Sequence, residues 1–474
     1  MYLEHSEKYY TTIPKAALLG GVILLSIAMA FFISYYTLYL PILILVVASI
    51  FILRLTFLAI LPFVFIAFVP SDYVPQFRIE TAWGLMQPSL VIITIAGFLT
   101  FFQKYKHLSF TFPRIVLISF FLFGFSMGFS VLLNGTDLDA LMWLSILLLG
   151  SGGVYFIAAN HNSQRIDGEF LLKIVCGVAT IVSILAVIEY LIGYNPFAEL
   201  YLSNRHWYFK NTLDGNYYGR LVRVISTVGH PLVLSSFILF ILPVTLYFAF
   251  RAEKKLFWIF STGIQYLGIF VTFSRSAYLF GGILLLIYLI RFEVISINIK
   301  RLIFITVFLA LLCIIGFVLL SKFGLISAFL DRISFQTGKD SLLFRLRGWF
   351  FAGNFISQDP FFGIGVRQLP IFVRKYLPLF TLTTFDNTFL DLLCEIGIVG
   401  LCSYIFFIIS PLLSVKNSKH SEFDLFLPLI VFLIMIYFSF LFNLVYRQVI
   451  WITYWTLQGL FLMIQRSRPN EMTT

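Results

Sequence analysis

Charge is what this chain of 474 residues has least of. Asp, Glu, Lys and Arg together make up 12% of it, against ~25% in a soluble globular domain. Such a chain could not cover a folded surface with polar groups in water, which excludes a soluble enzyme and a disordered protein alike. Cysteine is scarce too, and Cys176, Cys313, Cys394 and Cys402 all fall inside apolar runs, where a thiol packs as a small hydrophobe. They say nothing of the redox compartment; it is the same charge-poor composition that excludes a disulfide-stapled secreted domain. The chain has no Gly-x-x-x-x-Gly-Lys-Ser/Thr segment and so no Walker-type nucleotide loop. No pair among its histidines has metal-ligand spacing, so neither a metal nor a cofactor is expected. Low-complexity tracts, polar linkers and internal repeats are also missing. The last of these argues against a transporter built from repeated halves.

What the chain does have is apolar material. Hydrophobic residues account for 60%, Phe alone occurs 57 times, and the mean hydropathy is +0.96. The apolar residues form many continuous runs rather than an alternating pattern. This points to an all-α, polytopic integral membrane protein and away from a β-barrel. With ~20 apolar residues per span, the candidates run roughly over 14–35, 38–53, 55–70, 87–103, 114–133, 138–159, 170–192, 230–250, 256–273, 276–291, 302–320, 388–411, 424–443 and 447–464. The pair at 38–70, divided only by Arg54, is the ambiguous one, so the expectation is about 12–14 spans in one membrane domain over 1–474. The first apolar run is long enough to span, and no cleavable signal peptide is expected.

Lys and Arg mark the cytoplasmic side of short loops. Arg54, Lys104, Lys106, Arg114, Arg165, Lys173, Arg251, Lys254, Lys255, Arg291, Lys300, Arg301, Lys416, Lys419, Arg466 and Arg468 all fall on one side when the N-terminus is inside. The net charge of +11 is thus a matter of topology, with no nucleic-acid partner implied. Both termini are expected in the cytoplasm. Two long connections, about 193–229 and 321–387, come out external.

The first external loop interleaves Arg205, Lys210, Arg220 and Arg223 with aromatics and ends on Ser226-Thr-Val-Gly-His230-Pro. The aromatics fit a headgroup belt or a stacking face for sugars. The second loop is basic where topology does not ask for it: Lys322, Arg332, Lys339, Arg345, Arg347, Arg367, Arg374 and Lys375 outnumber its acids. An anionic ligand at the outer face would account for the excess, although long loops also escape the positive-inside bias. Ser274-Arg275 sits between two spans at the external boundary, where an arginine either snorkels or meets an anion. Asp391 and Glu395 share a helix face one turn into a span. Intramembrane carboxylates are functional candidates, and Glu189 near the outer end of an earlier span is another. Asn443 and Arg447 lie near the outer end of the last hairpin.

Four segments in order resemble the O-antigen ligase and O-antigen polymerase superfamily. They are Arg223…Ser226-Thr-Val-Gly-His-Pro, then Thr272-Phe-Ser-Arg-Ser-Ala, then Arg345…Trp349…Asp359-Pro-Phe-Phe-Gly-Ile-Gly365, and finally Phe385-Asp-Asn-Thr…Glu395-Ile-Gly-Ile-Val-Gly-Leu401. They cover about 220–401. The resemblance implies an enzyme of the cell envelope in the bacterial inner membrane that works without a metal. It would move glycan from a polyprenyl-diphosphate-linked donor (undecaprenyl diphosphate in bacteria) to a glycan or lipid-core acceptor, as in lipopolysaccharide biosynthesis. It also implies Arg275 and Asp386 as catalytic residues, with Arg223, Arg220, Arg345, Arg347, Asn387, Ser274 and His230 binding diphosphate or glycan. The ligase pattern has a histidine where this chain has Asp386. The Asp-Asn pair leans toward a polymerase, with a ligase as the alternative and a lipid-linked glycan transporter ranked last. Asp386 or Asn387 can equally cap the span that starts near Thr388. Gly363-Ile-Gly365 reads as a turn and not as a phosphate cradle.

Overall fold

The computed structural model describes residues 59–68, 79–81, 84–86, 93, 94, 96, 97, 100, 113–134, 140, 144, 147–160, 167–193, 195, 224–252, 255–292, 346, 348–376, 385–414, 425–441 and 447–467. The described residues form a helical protein. Its elements are α1 (Leu61–Phe68), the strands β1 (Ile79–Thr81) and β2 (Gly84–Met86), α2 (Arg114–Asn134), α3 (Leu149–Ala159), α4 (Gly168–Ile192), α5 (Pro231–Arg251), α6 (Lys255–Val271), α7 (Arg275–Arg291), α8 (Leu369–Tyr376), α9 (Thr388–Ser414), α10 (Phe426–Leu441) and α11 (Gln448–Ser467). The two strands pair antiparallel, Ile79 opposite Met86, inside a connection where the sequence predicts no regular structure.

Four of these helices, α2, α4, α5 and α9, are long and apolar enough to cross a membrane, and α3, α6 and α10 are shorter apolar helices. Each falls on a span read from the sequence. The spans expected at 14–35, 38–53 and 302–320 lie outside the described residues. α11 coincides with the last expected span but carries Gln448, Thr453, Thr456 and Gln458. Its side chains from Val449 to Ile464 are buried, so protein and not lipid surrounds it, and it needs no apolar coat.

Local chemistry fixes the helix ends. Asp167 caps α4, its Oδ1 accepting from Glu169 N–H at 3.1 Å. Gly193 closes the same helix in the left-handed region (φ 70°), its N–H donating to Glu189 O at 2.9 Å. Pro231 opens α5, where a missing N–H costs nothing. α5 is nearly enclosed and packs on α4, α6, α7, α10 and α11. α2 lies at the edge, with Phe121, Phe125 and Leu132 exposed.

α2 runs antiparallel along α9. Ser119 Oγ donates to Ser410 Oγ at 2.8 Å, Ser126 Oγ shares a bond of 2.8 Å with Ser403 Oγ, and Phe123 stacks on Phe407 at 5.1 Å between them. Small hydroxyl residues let membrane helices approach closely and join them by hydrogen bonds where water is absent.

Candidate functional site

The motif segments sit at one end of the bundle, where α7 and α9 begin and α2, α4 and α10 finish. Residues 224–230 form a tight turn before α5. Ser226 is left-handed (φ 49°), as is Gly229 (φ 82°). The turn is tied down on several sides. Glu189, at the end of α4 and 3% exposed, accepts from Ile225 N–H at 3.2 Å and Ser226 N–H at 2.6 Å through its two oxygens. Asn195 Nδ2 donates to Ser226 O at 3.0 Å, and Thr227 Oγ1 donates to Ala67 O at 2.7 Å. His230 caps α5, its Nδ1 accepting from Leu232 N–H at 3.1 Å. A neutral imidazole that accepts at Nδ1 carries its proton on Nε2.

The second turn, 272–276, joins α6 to α7. Phe273 is left-handed (φ 52°) and its ring packs on Tyr190 at 5.9 Å. Ser274 is buried, with its Oγ 3.2 Å from Ser276 Oγ. Arg275 is the exposed first residue of α7. A cation at a helix N-terminus opposes the macrodipole by ~0.3–1 kcal/mol. The same spot has unpaired backbone N–H groups and attracts anions, so an anion held by Arg275 would reverse the penalty.

The third part is a small folded unit between α7 and α9. Residues 348–356 are helical and α8 follows. Ala352, Phe355, Ile364, Leu369 and Val373 make a separate apolar cluster with Phe385 and Cys394. The sequence shows this region only as a long basic loop. Its internal turn grips α9. Asp359 Oδ1 accepts from Phe362 N–H at 3.0 Å, and the turn predicted at Gly363–Gly365 is present (φ 72° and 109°). α9 is broken opposite it, at Gly397 (φ 65°, ψ −169°). The carbonyls of Cys394 and Glu395 accept from Ile364 N–H (2.8 Å) and Gly365 N–H (3.0 Å), while Ile398 N–H and Val399 N–H donate to Pro360 O (2.9 Å) and Phe361 O (3.3 Å). Two carbonyls before the break and two N–H groups after it thus find partners in this turn, which a break inside an apolar helix requires. From α2, Ser130 Oγ donates to Glu395 O at 2.9 Å and Asn134 Nδ2 to Gly363 O at 3.1 Å.

The fourth segment enters α9. Phe385 is buried in the small cluster, and its carbonyl accepts from Trp349 Nε1 at 3.3 Å. Its N–H donates to Asp391 Oδ1 at 2.9 Å, which is the structural use of one carboxylate the sequence flagged. Asp386 follows, left-handed (φ 51°) and partly exposed. Asn387, 4% exposed, caps α9: its Oδ1 accepts from Phe389 N–H (3.0 Å) and Leu390 N–H (3.2 Å). Glu395 is buried beside the break.

The last turn of α10 joins the second and fourth segments. Tyr437 Oη donates to Ser276 O at 2.9 Å, and Phe440, three residues on, packs against Phe389 at 4.6 Å. Arg275 and Asp386 therefore stand on turns anchored to one helix end. His230 lies at the same end through Glu189 and Tyr190. Arg220, Arg223, Arg345, Arg347 and Asn443 lie outside the described residues, and Arg447 precedes α11. Among the described residues no group of three or more His, Cys, Asp or Glu is placed to hold a metal ion. Asn134, Ser130 and the pairing of Gly363 with Gly397 were not found from the sequence, because nothing in the chain pattern reveals which distant segment faces a helix break.

No curated protein matches the chain. The family model described as O-antigen ligase matches residues 257–405, which span α6, α7, the small folded unit and the first part of α9, with the last three of the four motif segments. Over that stretch the chain is similar to the O-antigen ligase family, as the motifs led one to expect.

Proposed function

We propose that the protein is a membrane-embedded glycan transferase at the outer face of the bacterial inner membrane, joining glycan from a polyprenyl-diphosphate donor to a glycan acceptor, as an O-antigen or exopolysaccharide polymerase. Both termini are cytoplasmic in this reading, and the connections at 193–229 and 321–387 face outward. The observation that carries it is the anchoring of the Arg275 and Asp386 turns to the end of α10, through Tyr437 and Phe440. The family match over 257–405 supports the same class of enzyme.

Arg275 would bind the diphosphate. Its planar guanidinium meets phosphate oxygens two at a time and stays charged. The start of α7 adds backbone donors at the same point. As the bond from the anomeric carbon to the phosphate oxygen breaks, charge grows on the diphosphate, and Arg275 stabilises it. Asp386 would accept the proton of the acceptor hydroxyl as its oxygen bonds to the anomeric carbon. Arg223, Arg220, Arg345 and Arg347 complete the anion site, and lipid from the membrane surrounds the polyprenyl tail. Ser274 and His230 contribute by fixing the turns that carry these groups, with Asn387 doing so for Asp386. The reaction so written needs no metal.

The ligase reading has one observation of its own, the description of the matched family. The glycans of a deletion strain separate the two. Restoration with wild type, compared with Arg275→Ala and Asp386→Ala at equal membrane levels, gives the result on a gel. A core carrying a single repeat unit identifies a polymerase. A bare core with long polymer left on the carrier lipid identifies a ligase. Normal glycan from either variant would refute the assigned roles.

A further inference from the structure

We infer that Glu189 is a positioning residue for the donor site, acting through the turn 224–230 and resting on the proposed transferase reading. A buried carboxylate normally answers a cation or a helix end. Glu189 does neither in its described bonds: its two oxygens accept from consecutive backbone N–H groups, Ile225 at 3.2 Å and Ser226 at 2.6 Å, with the side chain of Asn195 as a further partner. Those bonds hold Ser226 in a left-handed conformation (φ 49°) that a residue with a side chain adopts reluctantly. Asn195 holds the same residue from its other side through Ser226 O, in the following peptide, and Ser226 Oγ donates to Val182 O at 3.0 Å.

What the turn carries gives this effort its meaning. Arg223 is the residue immediately before it in the chain, and His230 ends it as the cap of α5. The next residue of α4, Tyr190, packs on left-handed Phe273, two residues before Arg275. Consecutive residues at the end of α4 thus hold both the turn that follows Arg223 in the chain and the turn that precedes Arg275. A glutamine at 189 keeps the size but offers one acceptor oxygen, and its NH₂ group faces an N–H donor. The turn would lose one tie and its left-handed residue would relax.

The test uses full-length protein in proteoliposomes with a polyprenyl-diphosphate-linked glycan as probe, varying donor concentration. Glu189→Gln is expected to raise the donor KM by about tenfold or more while kcat stays within about threefold, the signature of lost donor binding and not of lost folded enzyme. Asn195→Ala is expected to move KM the same way by less. Glycine adopts the left-handed conformation freely, so Ser226→Gly added to Glu189→Gln is expected to restore most of the donor affinity. An unchanged KM in both single variants would overturn the inference. So would a fall in kcat alone, or a double variant no better than Glu189→Gln. Arg275→Ala, run alongside, keeps the failures apart, since normal transfer by that variant contradicts the transferase site and not the role of Glu189.

Discussion

A left-handed backbone costs a residue with a side chain about 1–2 kcal/mol, and the protein accepts that cost at Asp386 (φ 51°) between two residues that are themselves tied down. Phe385 is held by Trp349 and Asp391, and Asn387 caps α9. Backbone strain of this kind gathers at functional positions. Stability and chemistry should therefore separate here. Asp386→Gly is expected to leave the melting temperature in detergent unchanged or higher and to abolish glycan transfer. Asn387→Ala is expected to lose about 1 kcal/mol of stability, read as a lower melting temperature. If Asp386→Gly lowers the melting temperature as Asn387→Ala does, Asp386 is a structural residue. The motif position of Asp386 was legible in the sequence. The division of labour with Asn387 was not, because both side chains are good helix caps and only geometry shows that Asn387 serves.

At the scale of elements, the break in α9 and the turn at 359–365 act as one piece. A Cβ at Gly397 would lie 2.2 Å from the carbonyl of Phe361, and one at Gly363 would lie 2.4 Å from the carbonyl carbon of Glu395. Both contacts are with backbone, which cannot swing aside, and both glycines have positive φ. Gly397→Ala and Gly363→Ala are each expected to destabilise the protein by at least about 2 kcal/mol. The double variant should cost less than the sum, since either methyl already opens the same joint. Thermal melts of the three variants measure this, and a simple sum would show that the two segments are not coupled. The glycines could be read from the sequence as a turn and as a motif. Their mutual contact could not, because the turn belongs to a folded unit whose core of Ala352, Phe355 and Val373 looks, in one dimension, like a basic loop.

At the scale of the whole molecule, apolar runs located the helices but not their neighbours. A lipid-facing run and a buried run are equally apolar, and hydropathy does not distinguish the enclosed α5 from the peripheral α2. Contacts do. Phe237 of α5 is fully buried and stacks on Phe63 at 5.6 Å, whereas Phe125 of α2 is 69% exposed. Phe237→Ala is expected to lower the yield of folded protein through lost packing, with a cost of about 3–5 kcal/mol at the upper end, and Phe125→Ala to change stability by less than about 0.5 kcal/mol. Size-exclusion profiles of the two variants in detergent compare them directly. The central claim concerns the end of the bundle where Arg275 and Asp386 are anchored to α10. Its most direct measurement is glycan transfer by the purified full-length protein in proteoliposomes given only lipid-linked glycan. The account predicts longer lipid-linked chains from wild type, and none from Arg275→Ala or Asp386→Ala protein that is folded and inserted. Chain growth by either variant at the wild-type rate would contradict it.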